Sequence, residues 1–590
     1  MSVPRGNDLD LGNIVGGGGS VPFPRDVRDK HLYVCGATGT GKSKFLEGLI
    51  RQDIRAWPKS KCGVLLLDPH GSLFDSVMRW LARADVSHFP IIPIDLRQDD
   101  WVVSYNAIRR RDTTDSSVII DNFVQAMAHV WGEAGTDQTP RFARWVTNVL
   151  QTLYENNLTL LEAEYLIDHL DKAARHTLLQ KVEDRAARRD WQFANELNAR
   201  DFENALGSTV NRLHRFLRNK RMRAIFGNSR VSLDLGRALE EGHIILVSLA
   251  TAGAKVSAED SDLFGTLLLS DLWTAALDRG KRDGVKPFYV YMDEAQRFIT
   301  PTIARNLDEA RGFGLHLTMA NQFPQQLLDA GPQGEKLYHS VMENASSKVC
   351  FRLQSEENLR PIAQWLFRGV LDPDEIKHVL QSTKVIGYQE VERTSITRGR
   401  STSTMDAEGE GSADTHTYTT SDTATHQMFN NEVAQTTEGR SRNESEGHSR
   451  GIQRSSSHAR GETESYSETV VPMLIPILGK EDSAVQFRSL EEQLHTAMAK
   501  LFRQEERRGI VRLAGMNAPV SITTASVKDA PMTEARLREY AAKLLARWDF
   551  ALPAGEAAKE LADRERRMES ALRYPNASEE PTDYRRRVDP

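Results

Sequence analysis

Short, wholly apolar runs alternate along this chain with stretches whose apolar residues recur every three or four positions. The first run, Leu32-Tyr33-Val34-Cys35, is followed by Phe45, Leu46, Leu49 and Ile50 at helical spacing. Similar runs fall at 63–67 (GVLLL) and 90–95 (PIIPID), and then at 243–249, 288–292, 315–320, 348–353 and 384–390. A run that is apolar at every position belongs to a strand covered on both faces. Its alternation with amphipathic helices predicts an α/β fold with a mostly parallel sheet and helices on both sides. Between 115 and 224 the strand signal disappears and a charged helical pattern takes over, predicting an all-α insertion. The core is therefore expected in two parts, 25–114 and 225–393.

The flanks read differently. Residues 1–24, with Gly16 to Gly19, predict an arm before the core. Residues 394–468 are rich in Ser, Thr, Gly, His, Glu and Arg and almost devoid of apolar side chains. Such composition buries too little area to offset the entropy of ordering, so it predicts a solvated linker, with an extended two-stranded ribbon as the alternative that alternating Ser/Thr and charges would suit. A small α/β piece is expected at 469–530, and charged helices ending in an Arg-rich tail, Tyr584 to Arg587, at 531–590.

Composition narrows the picture. Charged residues are 27% of the chain and the net charge is −6, which excludes a globally basic nucleic-acid binder and leaves only a local patch or a ring of subunits for such contacts. The three cysteines, Cys35, Cys62 and Cys350, lie apart in apolar runs, a spacing that fits neither zinc nor a disulfide framework. No run is long and apolar enough to span a bilayer, so a soluble, cytoplasmic protein is expected.

The chemistry concentrates where Gly36-Ala37-Thr38-Gly39-Thr40-Gly41-Lys42-Ser43 separates the first strand from the first helix. Strand, GxxxxGK[ST] and helix in that order form a phosphate-binding loop. Its glycines turn backbone N–H groups inward, and the helix N-terminus points its positive dipole end at the same place. Gly36 through Lys44 are the expected nucleotide-binding residues. Lys42 should reach the β/γ-phosphates, and the Ser43 hydroxyl should join a Mg²⁺ shell. A second strand, Phe288 to Met292, ends in Asp293-Glu294. Asp293 is the expected second metal residue, and Glu294 the carboxylate that polarises attacking water. Gln322, after the 315–320 strand, is placed to sense the γ-phosphate. Asp68 and His70, after the 63–67 strand, are placed at the same carboxyl edge, with a structural role equally open.

These segments resemble the HerA/FtsK branch of additional-strand ring ATPases, including soluble relatives of the coupling ATPases of conjugative DNA transfer (type IV secretion). The resemblance rests on GATGTGKS at 36–43, LLLDPHGSL at 65–73, IDLRQDDWVVSYN at 94–106, IFGNSRVSLDLGRALEEGHIILVSLA at 225–250, YVYMDEAQRF at 289–298 and RGFGLHLTMANQFPQQL at 311–327. It implies a RecA-like P-loop ATPase core that uses ATP and Mg²⁺, assembles as a homo-oligomer, a hexameric ring, and pumps DNA or protein. It also implies an arginine supplied by one subunit to its neighbour's site. Arg311 matches that position, and Arg352 is the second choice. Membrane-anchored coupling proteins carry transmembrane helices and HerA a β-barrel ahead of the phosphate loop, so a barrel-less, unanchored variant is expected here.

The densest basic stretch, Asn211 to Arg223, places Arg212, Arg215, Arg218 and Arg221 at successive threes. Two readings stand: a phosphate-tracking surface for DNA of either strandedness, or a solvated helix face. The expected function is an ATP-driven DNA motor. The alternatives are an ATPase that moves protein or licenses a partner nuclease, and a nucleotide switch that scaffolds without pumping.

Overall fold

The computed structural model describes residues 8–111, 114–131, 139–228, 231–253, 255–281, 284–329, 334–407, 413–429, 432–449 and 457–573. They form two units, one made of 1–372 with 490–590 and the other of 373–489.

The first unit is built on an eleven-stranded sheet. In chain order its strands are β1 (Leu9–Ile14), β2 (Ser20–Phe23), β3 (Leu32–Cys35), β4 (Gly63–Asp68) and β5 (Ile91–Asp95). After the short β6 (Trp101–Val103) come β7 (Ile244–Ser248), β8 (Phe288–Asp293), β9 (Leu315–Asn321) and β10 (Ser347–Cys350). The order β10-β3-β9-β8-β4-β7-β5 is parallel throughout. The reason is the one the sequence supplies: these strands are apolar on both faces and need helices on both. Leu32, Val34, Val64 and Leu66 pack under Phe45, Leu46, Leu49 and Ile50 of the helix Lys42–Ser60. Their neighbours Tyr33, Cys35, Leu65 and Leu67 face the other way, toward Leu263, Leu267 and Trp273 of the helix Ala258–Arg279. Each such side chain contributes about 1.5–3 kcal/mol of burial.

Two expectations about the flanks are corrected. The N-terminal stretch is not an arm ahead of the core: β1 and β2 are sheet strands, with Leu9, Leu11, Val21 and Phe23 buried. Nor is 469–530 a separate piece. Four strands not yet introduced make up the second unit, and after them β15 (Arg508–Arg512) and β16 (Val520–Thr523) insert between β10 and β1, antiparallel to both. Alternating apolar residues in both flanks, too short to form a core alone, supply one half-covered sheet edge together. Residues 116–227 are helical where described, as the pattern predicts. The helix Ala554–Arg573 docks on this insertion through Arg564, whose Nε and Nη2 donate to the Glu162 carboxylate at 2.7 and 2.9 Å. A last short strand, β17 (Ala551–Pro553), pairs with β6. The tail Tyr584 to Arg587 lies outside the described residues. Among the described residues no helix is long and apolar enough to cross a membrane.

The second unit begins earlier than 394 and ends later than 468. It is an antiparallel sheet of β11 (Ile376–Ala407), β12 (Ala413–Phe429), β13 (Glu432–Ser449) and β14 (Ser457–Phe487), ordered β13-β12-β11-β14. β11 and β14 pair from Ile376↔Phe487 to Ala407↔Ser457. Of the two sequence alternatives, a linker or a two-stranded ribbon, the strands of the second are present, but four of them pair rather than two. Ser and Thr are well suited to extended strands, and backbone ladders need no apolar side chains to form.

Ile522 of β16 is fully buried in the main sheet. Ile522→Ala is expected to lower stability by about 2–5 kcal/mol. Urea unfolding should show the loss within the main transition, since β16 is part of that sheet; a separate minor transition would contradict this.

Candidate active site

Parallel strands end together, so everything after β3, β4, β8 and β9 meets at one carboxyl edge. The strand order puts β9 between β3 and β8. The phosphate loop and the acidic pair are thus one strand apart, with Gln322 following the strand between them.

The loop is held by its neighbours' backbones. Gly36 N–H donates to the carbonyls of Asn321 and Gln322, and Ala37 N–H donates to Arg352 O at 3.0 Å. The Thr40 hydroxyl closes back on Ala37 O at 2.7 Å. Gly39 and Gly41 have φ of 78° and 103°, which side-chain-bearing residues rarely adopt. A Cβ on Gly36 would lie 2.5 Å from Phe351 Cβ. The helix Lys42–Ser60 starts without a side-chain cap and without an acid in its first turn. Its leading N–H groups and dipole are therefore left for an anion.

Lys42 is buried and bridges to the acidic strand. Its Nζ lies 3.0 Å from Asp293 Oδ1 and 3.4 Å from Glu294 Oε1. Glu294 sits at φ 52°, a left-handed conformation that costs a non-glycine residue roughly 1–3 kcal/mol. Its Oε2 accepts from Gln326 Nε2 at 2.9 Å and from Gln296 Nε2 at 3.2 Å. Thr38 Oγ1 donates to Gln322 Oε1 at 3.4 Å across the loop. Lys44, by contrast, turns its ammonium to Glu47 and Asp529, so only its backbone belongs to the loop.

Besides the ion pair, three buried polar atoms at this edge have no hydrogen-bond partner among the described residues: Ser248 Oγ, Asn321 Oδ1 and Arg352 Nε. Buried polar atoms are rarely left unbonded, and their gathering at one strand edge beside an uncapped helix fits a polar, charged ligand. Asp68 is the exception. Its carboxylate accepts from His70 N–H at 2.9 Å and Phe74 N–H at 2.8 Å. Burial pushes this carboxyl above its ordinary range, with the Asp293 charge adding to the rise. Asp68 thus anchors the turn into the helix Ser72–Arg83, and His70 is exposed.

The remaining expected residues divide. Arg311 is exposed in the turn that precedes β9, at the opposite end of that strand from Gln322, roughly 20 Å away along a seven-residue strand. Arg352 follows β10 directly and lies beside this chain's own loop. Sequence reasoning missed Arg507, which adopts φ 64°, donates its N–H to Thr40 O at 2.9 Å and packs its Cα 3.3 Å from where a Gly41 Cβ would be. Gln326 and Gln296 were also missed. The local signal for Gln296 is its place two residues after Glu294; Arg507 leaves none.

The basic stripe is corrected. Asn219 caps a new helix, Lys220–Gly227, so Arg221 leaves the line of Arg212, Arg215 and Arg218. Arg221 is buried and donates to the carbonyls of Trp101 and Asp95, which removes it from any DNA contact. Arg215 pairs with Glu259, and Arg212 donates to Ser208 while lying over the Phe142 ring. Arg218 is exposed.

Fold and site together define a P-loop nucleotide-binding α/β domain. The family described as the central domain of helicase HerA matches residues 9–271 of this chain. That match bears out the resemblance to the HerA/FtsK-type superfamily, and it ends before β8 and the acidic pair. Among solved structures, the bacterial conjugative coupling protein TrwBdeltaN70 is 14% identical with a TM-score of 0.44, over 86% of this chain and 88% of its own. The plasmid coupling protein TrwB in complex with ADP and Mg²⁺ is 14% identical with a TM-score of 0.45, over 87% and 89%. VirB4 of Thermoanaerobacter pseudethanolicus is 14% identical with a TM-score of 0.40, over 62% and 90%. No curated protein sequence matches the chain.

Removing the ammonium leaves two buried carboxylates side by side. Lys42→Met is therefore expected to destabilise the fold by about 3–5 kcal/mol. It is also expected to abolish binding of a fluorescent ATP analogue. Urea denaturation and nucleotide titration measure the two effects separately.

Proposed function

We propose that this chain is an ATP-hydrolysing motor that works as a homo-oligomeric ring, a hexamer, and translocates DNA. The observation that carries the hydrolase reading is the convergence of Lys42 on Asp293 and Glu294 across 3.0 and 3.4 Å. In this reading the N–H groups of Gly36 to Lys44 cradle the phosphates. Lys42 exchanges its carboxylate partners for β/γ-phosphate oxygens, and Ser43 with Asp293 holds Mg²⁺. Among the described residues no cluster of three His, Cys, Asp or Glu side chains suits a metal. Ser43 and Asp293 would therefore hold a divalent ion only together with a bound phosphate. Magnesium supplies neutralisation of the developing phosphate charge.

Glu294 then orients a water for in-line attack on the γ-phosphorus and accepts its proton as the bond to the β,γ-bridging oxygen breaks. Gln322 contacts the γ-phosphate. Arg311, lying at the far end of β9, serves a neighbouring subunit's site rather than its own. An arginine there spreads its charge over several phosphate oxygens, which lysine does not.

The family name of the matched segment, a helicase central domain, supports DNA as the cargo. A second reading, in which the same ATPase moves a protein or licenses a nuclease, is favoured by one observation: Arg221 is buried and Arg215 is paired, so the basic stripe is weaker than its sequence suggests. A switch that never hydrolyses has no use for a carboxylate beside the loop. Residence in the cytoplasm accords with this reading.

Two outcomes are expected. Glu294→Gln should bind ATP with near-native affinity while turnover falls by about 10²–10⁴-fold, measured by phosphate release. Native turnover should rise several-fold on adding DNA; an unchanged rate with single- and double-stranded DNA would transfer the assignment to a protein cargo.

A further inference from the structure

We infer that Gln326 and Gln296 are positioning residues that tie Glu294 to the strand-end segment Asn321–Phe323, so that the state of the γ-phosphate-sensing loop sets the aim of the water-activating carboxylate. The proposal rests on the hydrolase reading above and names residues outside its machinery.

Two amide bridges run from the same three residues to one oxygen. Gln326 Oε1 accepts from the backbone N–H groups of Gln322 at 2.9 Å and Phe323 at 3.3 Å, while its Nε2 donates to Glu294 Oε2 at 2.9 Å. On the other side Asn321 Nδ2 donates to Gln296 Oε1, and Gln296 Nε2 donates to the same Glu294 oxygen at 3.2 Å. The orientation of each amide is forced by its partners. Flipping Gln326 would set its carbonyl oxygen against a carboxylate and its NH₂ against two N–H donors.

The rest of the site gives the bridges their use. Glu294 Oε1 faces the Lys42 ammonium, so when Lys42 turns to phosphate that oxygen loses its cation and only the amides still hold the side chain. The backbone at Glu294 is already left-handed, so its direction depends on what grips the carboxylate. Gln322, whose side chain reaches Thr38 of the phosphate loop, shares its backbone with the Gln326 bridge. A γ-phosphate that draws in Gln322 therefore moves the residue that aims Glu294.

Two substitutions separate the bridge from general loop packing. Gln326→Glu keeps an acceptor for the two N–H groups but puts a second carboxylate against Glu294; Gln326→Met keeps the length and removes both bonds. At pH 8 both variants should bind a fluorescent ATP analogue within about twofold of native. Their kcat should fall at least tenfold with KM nearly unchanged. In a Glu294→Gln background, adding Gln326→Met should lower the residual rate no further, because its effect passes through Glu294. Native kcat in either single variant, or an equal further loss in the Glu294→Gln background, would overturn the proposal. A native protein that binds ATP and never releases phosphate would instead overturn the hydrolase reading on which it stands.

Discussion

One ammonium group placed between two buried carboxylates organises this molecule. Lys42 and Glu294 are 252 positions apart in the chain, yet their charged atoms lie 3.4 Å apart in a site that is nearly closed to water. Burying these carboxylates is unfavourable unless a cation lies between them, so the arrangement demands that β3 and β8 be held with a single strand between them. The parallel sheet does this, and its double-sided apolar strands keep both carboxyl ends at one edge. In the proposed function the same constraint leaves the site poised for exchange, a polyphosphate taking Lys42 and freeing Asp293.

The two ends of the chain serve that geometry from the side. β1 and β16 meet, β15 lies against β10, and the turn before β15 brings Arg507 onto Thr40 and Gly41. The GxxxxGK[ST] loop is thus braced by a residue far downstream in the chain. The ribbon unit, Pro373–Ser489, interrupts this C-terminal return without contributing a strand to the sheet.

Sequence reading succeeded where structure is written locally. The GxxxxGK[ST] loop, the apolar strand ending in Asp293-Glu294 and the all-helical insertion are local patterns, and the observed elements agree with them within about three residues. It fell short where pairing decides. The Arg stripe continues in threes across Asn219, but a side chain that caps its own following helix breaks the face, and periodicity does not register a cap. The scarcity of apolar residues in 394–468 pointed first to a linker, and only the Ser/Thr alternation carried the ribbon alternative, because backbone ladders need no apolar area. Gln326 is one of three glutamines between 322 and 326, and nothing local singles it out, since an amide's role is set by what it faces.

What the sequence determined by itself is the list of chemical groups and the local shapes that present them: glycine conformations, a helix start without a cap, strands apolar on both faces. What only the tertiary structure decided is which of those groups share a space. Side-chain chemistry and dihedral preference are properties of neighbouring residues, whereas the meeting of Lys42 with Glu294, of Arg507 with Thr40, and of two glutamines on one carboxylate oxygen depends on strand order, which no local interaction encodes.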